Sequence, residues 1–147
     1  MRLEFLFDAE FNYQGGFELM RPYGGKEGQG FGAGTGTVEG EKVRGTLQWS
    51  NYPRLREDGV LLPDARGRIE TEDGAHILFT LQGYAIRRAE GSGRTVIHTM
   101  TFKTENERYL WLNLVYAIGE GRVSTGPDPS MRYYTCLPDE QDGREQP

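Results

Sequence analysis

Hydrophobic and polar residues alternate along most of the chain, in short runs that end at Gly, Pro, Asp or Asn. A period of two is typical of β-strands, and the i, i+3, i+4, i+7 spacing of an amphipathic helix is almost absent. The pattern therefore predicts an all-β protein. The predicted strands cover residues 3–12, 31–39, 42–50, 59–71, 75–86, 94–103, 108–118 and 131–137, with weaker strands near 17–20 and 122–125.

The number of strands and the length of 147 residues predict one domain. A closed barrel or a sandwich would protect the strand edges, and in either case we expect little or no helix. Residues 1–137 would form this domain, and the polar residues 138–147 a flexible C-terminal tail. On the first strand, Leu3, Phe5, Phe7, Ala9 and Phe11 are expected to face the core.

Glycine occupies every second position of residues 30–36. Because the pleat of a strand also has a period of two, these glycines share one face. No helix follows to present amides to a phosphate, which argues against a nucleotide-binding loop. A two-residue loop at 40–41 would pair Gly32 with Trp49. The glycines then make room for large side chains, or they form a ligand wall beside Trp49; both interpretations are open.

A second hairpin is predicted around Gly74, where a three-residue loop separates hydrocarbon from charge and pairs Ile69 with Ile77. The opposite face then carries Asp64 and Arg66, with Cβ atoms about 7 Å apart. On a solvated face this ion pair would be weak, whereas inside a barrel it would supply the carboxylate and anion clamp of an acid/base site. Both placements are open.

His98 lies on an apolar strand face, where a histidine is either a hydrogen-bonded core residue or a catalyst. A four-residue loop at 104–107 would pair His98 with Asn113 and Met100 with Trp111, which would build an aromatic patch around one titratable ring. A three-residue loop would surround His98 with leucines instead. The sequence leaves both alternatives open.

Composition narrows the function classes. The chain has 17 Lys and Arg against 22 Asp and Glu, a net charge of −5, and no basic cluster, which argues against nucleic-acid binding.

No stretch approaches 18 apolar residues and the N-terminus lacks a signal-peptide core, so we expect a cytoplasmic protein without membrane contact. The single Cys136 excludes an internal disulfide, and the two histidines, His76 and His98, have no metal-ligand spacing. We expect neither metal nor cofactor.

Three motifs make the chain similar to a known family. They are Asp64-Ala65-Arg66, Thr71-Glu72-Asp73-Gly74-Ala75 and Trp111-Leu112-Asn113. With the stretches around them, these motifs resemble the family called domain of unknown function 3237 over residues 1–137. The resemblance implies a small protein with a single antiparallel β-barrel of about eight to ten strands, often self-associated, and therefore a homo-oligomer, but no general activity. Family members commonly have an acid before the tryptophan that here is Trp49, whereas this chain has Gln48.

Three functional hypotheses follow. The first is a cofactor-independent acid/base enzyme, an isomerase, cyclase, hydratase or lyase, that acts on a small apolar carbonyl or hydroxylated metabolite in the barrel. The second is a non-catalytic ligand-binding barrel, and the third is a self-associating barrel with a filled lumen. In the first, the residues with assigned roles are Asp64 or His98 for proton transfer, Arg66 as a clamp, Asn113 for orientation, and Trp49, Tyr84, Trp111 and Tyr133 as walls.

Overall fold

The computed structural model describes residues 1–89, 93–123 and 128–139. Residues 140–147 of the predicted tail lie outside the described residues. The elements are β1 (Arg2–Met20), β2 (Gly28–Glu39), β3 (Arg44–Asn51), β4 (Arg54–Leu55), β5 (Leu61–Leu62), β6 (Asp64–Thr71), β7 (His76–Arg87), β8 (Arg94–Lys103), a 3-10 helix (Glu107–Leu114), β9 (Ala117–Val123) and β10 (Ser130–Leu137).

The eight longer strands form a closed ring of antiparallel pairs. The order around the ring is β1, β10, β9, β8, β7, β6, β3 and β2, and β2 pairs again with β1. The two-residue strands β4 and β5 form a short ribbon between β2 and β7. The prediction of an all-β fold with one antiparallel barrel is confirmed. In the part of the chain that the structure describes, no helix has the length and apolar character to cross a membrane.

The hairpin of β6 and β7 has the register predicted from face consistency. Ile69 pairs with Ile77 and Asp64 with Gln82. Gly74 closes the turn with a φ of +87°, a conformation that glycine adopts without steric cost. The register separates an apolar inner face from a polar outer face, as the sequence indicated.

The hairpin of β2 and β3 differs from the prediction by two residues. Gly34, not Gly32, pairs with Trp49, because the loop spans residues 40–43 instead of 40–41. The longer loop lets Val43 turn inward, where it is fully buried. A shift of two residues keeps every side chain on its predicted face, so the glycines still face inward.

The predicted strand at 108–118 is wrong over most of its length. Residues 107–114 form the 3-10 helix, and Asn106 caps it by accepting a hydrogen bond from Arg108 N at 3.0 Å. Leu112 on this helix is fully buried, and burying it against the core outweighs the local strand pattern. Both predicted partners of His98 are therefore wrong, and His98 pairs with Gly119 of β9.

Two irregularities shape β1, which joins the predicted strands at 3–12 and 17–20. The first lies between Phe5 and Phe7 and reverses the alternation, so that Leu6 and Phe7 are buried while Leu3 and Phe5 are exposed. The expectation that Leu3 and Phe5 face the core is wrong for this reason. The second lies between Gln14 and Phe17.

The barrel is filled at one end. Buried side chains from six elements pack there, and the 3-10 helix covers them. They include Phe7, Val43, Leu47, Ile69, Ile77, Phe102 and Leu112. We call this the closed end, and the opposite end, where β3 and β7 finish and β8 begins, the open end.

Candidate functional site

The open end contains a cavity of about 500 Å³. This volume lies within the range of small-molecule sites, which are concave and mostly apolar with a few placed polar groups. The lining here has the same character, with aliphatic residues such as Leu61, Leu81 and Val96 beside the polar residues Asn51 and His98.

An aromatic wall forms one side of the cavity. The ring centroids of Tyr13 and Trp49 are 4.6 Å apart, those of Tyr13 and Phe17 are 5.3 Å apart, and Phe11 packs edge-on against Trp49 at 5.7 Å. The Trp49 indole donates from Nε1 to Thr35 O at 2.8 Å, which fixes the ring. Edge-to-face contacts of this kind stabilise aromatic clusters, so the wall is rigid.

The inward glycines of β2 make room for this wall and for the neighbouring strand. A Cβ atom on Gly32 would lie 2.3 Å from Cε1 of Tyr13, whereas one on Gly34 would first meet the backbone oxygen of Asn12 on β1, at 1.9 Å. These distances are well below van der Waals contact. Gly32 therefore serves the packing of the Tyr13 ring and Gly34 the close approach of β1, and the ligand contacts of the wall come from the rings.

A buried histidine forms the polar floor of the cavity, with a buried tyrosine behind it. His98 is 4% exposed and lines the cavity, and its Nδ1 lies 2.9 Å from the hydroxyl of the fully buried Tyr133. Burial lowers the pKa of His98 to about 3, because the charged imidazolium would be desolvated. Burial also raises the pKa of Tyr133 well above its ordinary value. Both side chains are neutral at pH 7.

A second polar pair lies beside the aromatic wall. Asn51 donates from Nδ2 to the Tyr13 hydroxyl oxygen at 2.9 Å, and its Oδ1 accepts from Asp64 N at 3.0 Å. The backbone of Asp64 thereby orients the Asn51 amide. Burial raises the pKa of the Tyr13 hydroxyl, although the hydrogen bond from Asn51 opposes this effect.

Arg94 contributes a positive charge to the lining. Its Nη1 donates to Gly59 O at 3.0 Å and to Ala85 O at 3.1 Å. Burial lowers the pKa of its guanidinium, and the neighbouring Arg87 adds to this effect. The guanidinium stays charged at neutral pH because its ordinary pKa is so high.

Only part of the predicted site comes together in the cavity. Trp49 and His98 line it, and Tyr133 stands behind His98 instead of forming a wall. Asp64 and Arg66 project from the outer face of β6, because the inward position between them is taken by Ala65. Of the two placements that the sequence left open for this pair, the structure has the outer one.

Tyr84 is also outside, where its side chain is half exposed on β7. Trp111 and Asn113 lie on the 3-10 helix at the closed end. Asn113 there accepts from Thr104 N at 3.0 Å and donates to Thr104 O at 2.9 Å, and Lys42 Nζ lies 5.6 Å from the centre of the Trp111 ring. Trp111 and Asn113 therefore do not meet His98 in one site, whereas Tyr84 lines a separate pocket to which His98 and Asp64 also contribute.

The second family motif ties the β6–β7 turn to the 3-10 helix. The Asp73 carboxylate accepts from Thr71 Oγ1 at 2.5 Å and from the Tyr109 hydroxyl at 2.9 Å, and Arg108 Nη1 lies 3.3 Å away. The Thr71 hydrogen bond, with further contributions from Tyr109 and Arg108, lowers the pKa of Asp73. This motif has a structural role at the closed end.

Sequence reasoning missed Tyr13, Phe17, Asn51 and Arg94. A signal for two of them was present, since Tyr13 continues the inward alternation of Phe11 and Asn51 follows Trp49 by two residues. Within the described ranges, no cluster of three or more His, Cys, Asp or Glu side chains could hold a metal ion. His76 lies on the surface, with Nε2 3.5 Å from Glu70 Oε1.

The chain belongs to the family described as protein of unknown function DUF3237, whose model matches residues 1–136. The resemblance stated from the sequence motifs is thereby confirmed. No curated protein matches.

Solved structures share the fold. A β-barrel-like protein from Acinetobacter baumannii AYE is 23% identical, with a TM-score of 0.82 over 91% of this chain and 94% of that one. A conserved protein of unknown function from Rhodopseudomonas palustris is 16% identical, with a TM-score of 0.81 over 92% and 97% of the two chains. A structure described as an enzyme from Penicillium herquei is 25% identical, with a TM-score of 0.67 over 91% and 92%.

Proposed function

We propose that this protein binds a small, mostly apolar carbonyl or hydroxylated molecule at the open end of the barrel and acts on it by cofactor-independent proton transfer. The reaction classes are those of isomerases, cyclases, hydratases and lyases. The observation that carries the proposal is the 500 Å³ cavity in which an aromatic wall faces a buried, uncharged His98. Polar groups held in an apolar, water-poor site act strongly on charge that develops in a reaction.

The contacts around His98 support this assignment. The ring is held by Tyr133, so its orientation is fixed before a ligand enters, and the Tyr13 and Asn51 pair faces the same space. Preorganised groups of this kind lower the cost of reaching a transition state. The neighbour from Penicillium herquei that is described as an enzyme adds support for catalysis. Asp64, Arg66, Tyr84, Trp111 and Asn113 lie away from the cavity, and the proposal does not use them.

Proton transfer can be tested with a flat aromatic ketone, 2-acetylnaphthalene, in D₂O. NMR would follow deuterium incorporation into the methyl group next to the carbonyl. We expect saturable acceleration over buffer, because the cavity would bind the naphthalene and stabilise the enolate oxygen while a solvent base removes the methyl proton and D₂O returns a deuteron to the carbon. Binding itself is followed by Trp49 fluorescence in a Trp111→Phe background, in which Trp49 is the single tryptophan of the chain.

Two matched variants locate the reaction. Ala85→Phe places a ring in the cavity, whereas Ile86→Phe adds a ring to the outer face of the same strand. We expect Ala85→Phe to abolish binding and exchange and Ile86→Phe to leave both unchanged. Saturable binding without any exchange would overturn the catalytic part of the proposal. Equal activity of the two variants would overturn the location of the site.

A further inference from the structure

The hydroxyl of Tyr133 determines which nitrogen of His98 holds the proton. Tyr133 is fully buried, and within the described part of the chain its hydroxyl has one hydrogen-bond partner, His98 Nδ1 at 2.9 Å. If Nδ1–H donated to the tyrosine oxygen, the buried hydroxyl proton would have no acceptor, at a cost of about 1–3 kcal/mol. The hydroxyl therefore donates to Nδ1, and the ring proton of neutral His98 is on Nε2.

This Nε2–H group is available to the cavity. Among the described residues, no fully buried side-chain nitrogen or oxygen lacks a partner, and His98 Nε2 has no protein partner there. Nε2 is therefore not sealed inside protein. Since His98 lines the cavity, its second nitrogen presents a hydrogen-bond donor to that space.

Tyr13 supplies a second donor. Its oxygen already accepts from Asn51 Nδ2, and in the described residues its own hydroxyl proton has no acceptor. Asn51 Oδ1 accepts from Asp64 N, so the amide orientation is fixed and Nδ2 is the group that faces the Tyr13 oxygen. The Tyr13 hydroxyl proton is therefore free to reach a ligand oxygen.

The charged group of the cavity lining favours the same kind of ligand as the two hydrogen-bond donors, a ligand oxygen with negative charge. Arg94 contributes its guanidinium to the lining, and among the described lining residues there is neither Asp nor Glu. The Asp128 carboxylate lies outside that set, where it accepts from Tyr13 N at 2.9 Å. Side chains that donate hydrogen bonds, together with a cation, favour an oxygen with negative charge. The aromatic wall favours a flat ring next to that oxygen.

We propose that the cavity selects a flat aromatic or conjugated molecule with a phenolate or enolate oxygen, and that His98 and Tyr13 donate hydrogen bonds to that oxygen. This inference rests on the proposed function and names its ligand class. It also makes the role of His98 specific, from proton transfer in general to a donor that stabilises an oxyanion, while Tyr133 is a positioning residue that fixes the tautomer.

The sign of a ligand pKa shift tests the proposal. The probe is 7-hydroxycoumarin, a flat phenol whose absorbance distinguishes phenol from phenolate. An apolar cavity without donors would raise the pKa of the bound phenol, whereas two donors and a nearby cation would lower it. We expect the bound probe to ionise about one pH unit or more below the free probe, because each donated bond favours the phenolate by about tenfold.

Variants assign the shift to the donors. Tyr13→Phe keeps the ring and removes one donor, so the downward shift should become smaller. Tyr109→Phe removes a tyrosine hydroxyl at the closed end and should leave the shift unchanged. An upward shift in the unmodified protein would overturn the donor assignment but keep the binding site. Absence of probe binding by Trp49 fluorescence would instead overturn the proposed function together with this inference.

Nitrogen-15 NMR of the imidazole gives an independent readout. We expect His98 to show a protonated Nε2 and an unprotonated Nδ1 at pH 7, and Tyr133→Phe to change this pattern even if the protein stays folded. The surface residue His76 provides the matched control, because its signals should not respond to Tyr133→Phe. A protonated Nδ1 in the unmodified protein would overturn the inference.

Discussion

His98 makes the stability of the protein depend on pH. Its pKa in the folded state is about 3, against 6.5 for an exposed histidine. Between these values the unfolded chain binds a proton that the folded protein excludes, so the free energy of unfolding falls as the pH falls. We expect a slope of up to about 1.4 kcal/mol per pH unit from this residue between pH 6 and pH 4, measured by urea unfolding.

Two histidine variants isolate this contribution from that of the carboxylates. His98→Gln should be less stable at pH 7 and should show a flatter pH dependence between pH 6 and pH 4. His76→Gln, at the exposed histidine, should keep the slope of the unmodified protein. If the slope survived in His98→Gln, protonation of His98 would not be what destabilises the fold in acid.

At the residue scale, strand alternation predicted only part of the site. Trp49 and His98 lie on inward positions that the sequence marks by their apolar neighbours. The predicted register put Asp64 and Arg66 on the face opposite Ala65, but it left open which of the two faces is inside, and the structure places Ala65 inward. The Tyr133 hydrogen bond to His98 was not predictable, because it joins side chains 35 residues apart across β9.

At the scale of elements, the packing of β2 against the aromatic wall depends on its glycines, which have no side chain. Gly32→Ala would bring a Cβ to 2.3 Å from the Tyr13 ring, which is held between Phe17 and Trp49. Because the ring has little freedom to move, we expect a loss of about 1–3 kcal/mol in the free energy of unfolding and weaker binding of the ketone probe. Urea unfolding and Trp49 fluorescence would measure the two effects.

Thr37→Ala is the matched control for this strand. Thr37 is exposed on β2, and its truncation should change stability by no more than about 0.5 kcal/mol. Equal stability of the two variants would mean that the Tyr13 ring moves aside at little cost, and the wall would then not be rigid.

The elements also show where local pattern fails. The hairpin around Gly74 was predicted in full, because turn chemistry and face consistency select the same register. The 3-10 helix was not predicted, because its formation depends on burying Leu112 over the end of the barrel and on the Asp73 contacts. These interactions join distant parts of the chain, whereas hydrophobic periodicity depends only on residues that are close in the sequence.

For the whole molecule, the homo-oligomer implied by the family stays a prediction. Tyr84, Ile86 and Ile97 are about half exposed on the adjacent outer faces of β7 and β8. Apolar patches of this kind favour self-association. We expect light scattering to give a mass that is a multiple of 16.6 kDa, and Ile97→Lys to lower it. Leu114→Lys at the closed end should have no effect; a monomeric unmodified protein would contradict the prediction.

We expect the closed end of the barrel to determine stability and the open end to determine ligand binding. Leu112 is fully buried at the closed end, and we expect Leu112→Ala to lower the free energy of unfolding by about 2–5 kcal/mol. Leu110 lies on the exposed side of the same helix, and Leu110→Ala should lower the free energy of unfolding by less than about 0.5 kcal/mol. The cavity lining includes neither residue. As long as the protein is folded, both variants should therefore bind the ketone probe as the unmodified protein does, measured by Trp49 fluorescence in the Trp111→Phe background. A large loss of affinity in folded Leu112→Ala would mean that packing at the closed end sets the geometry of the cavity, and that the ends are mechanically coupled through the sheet.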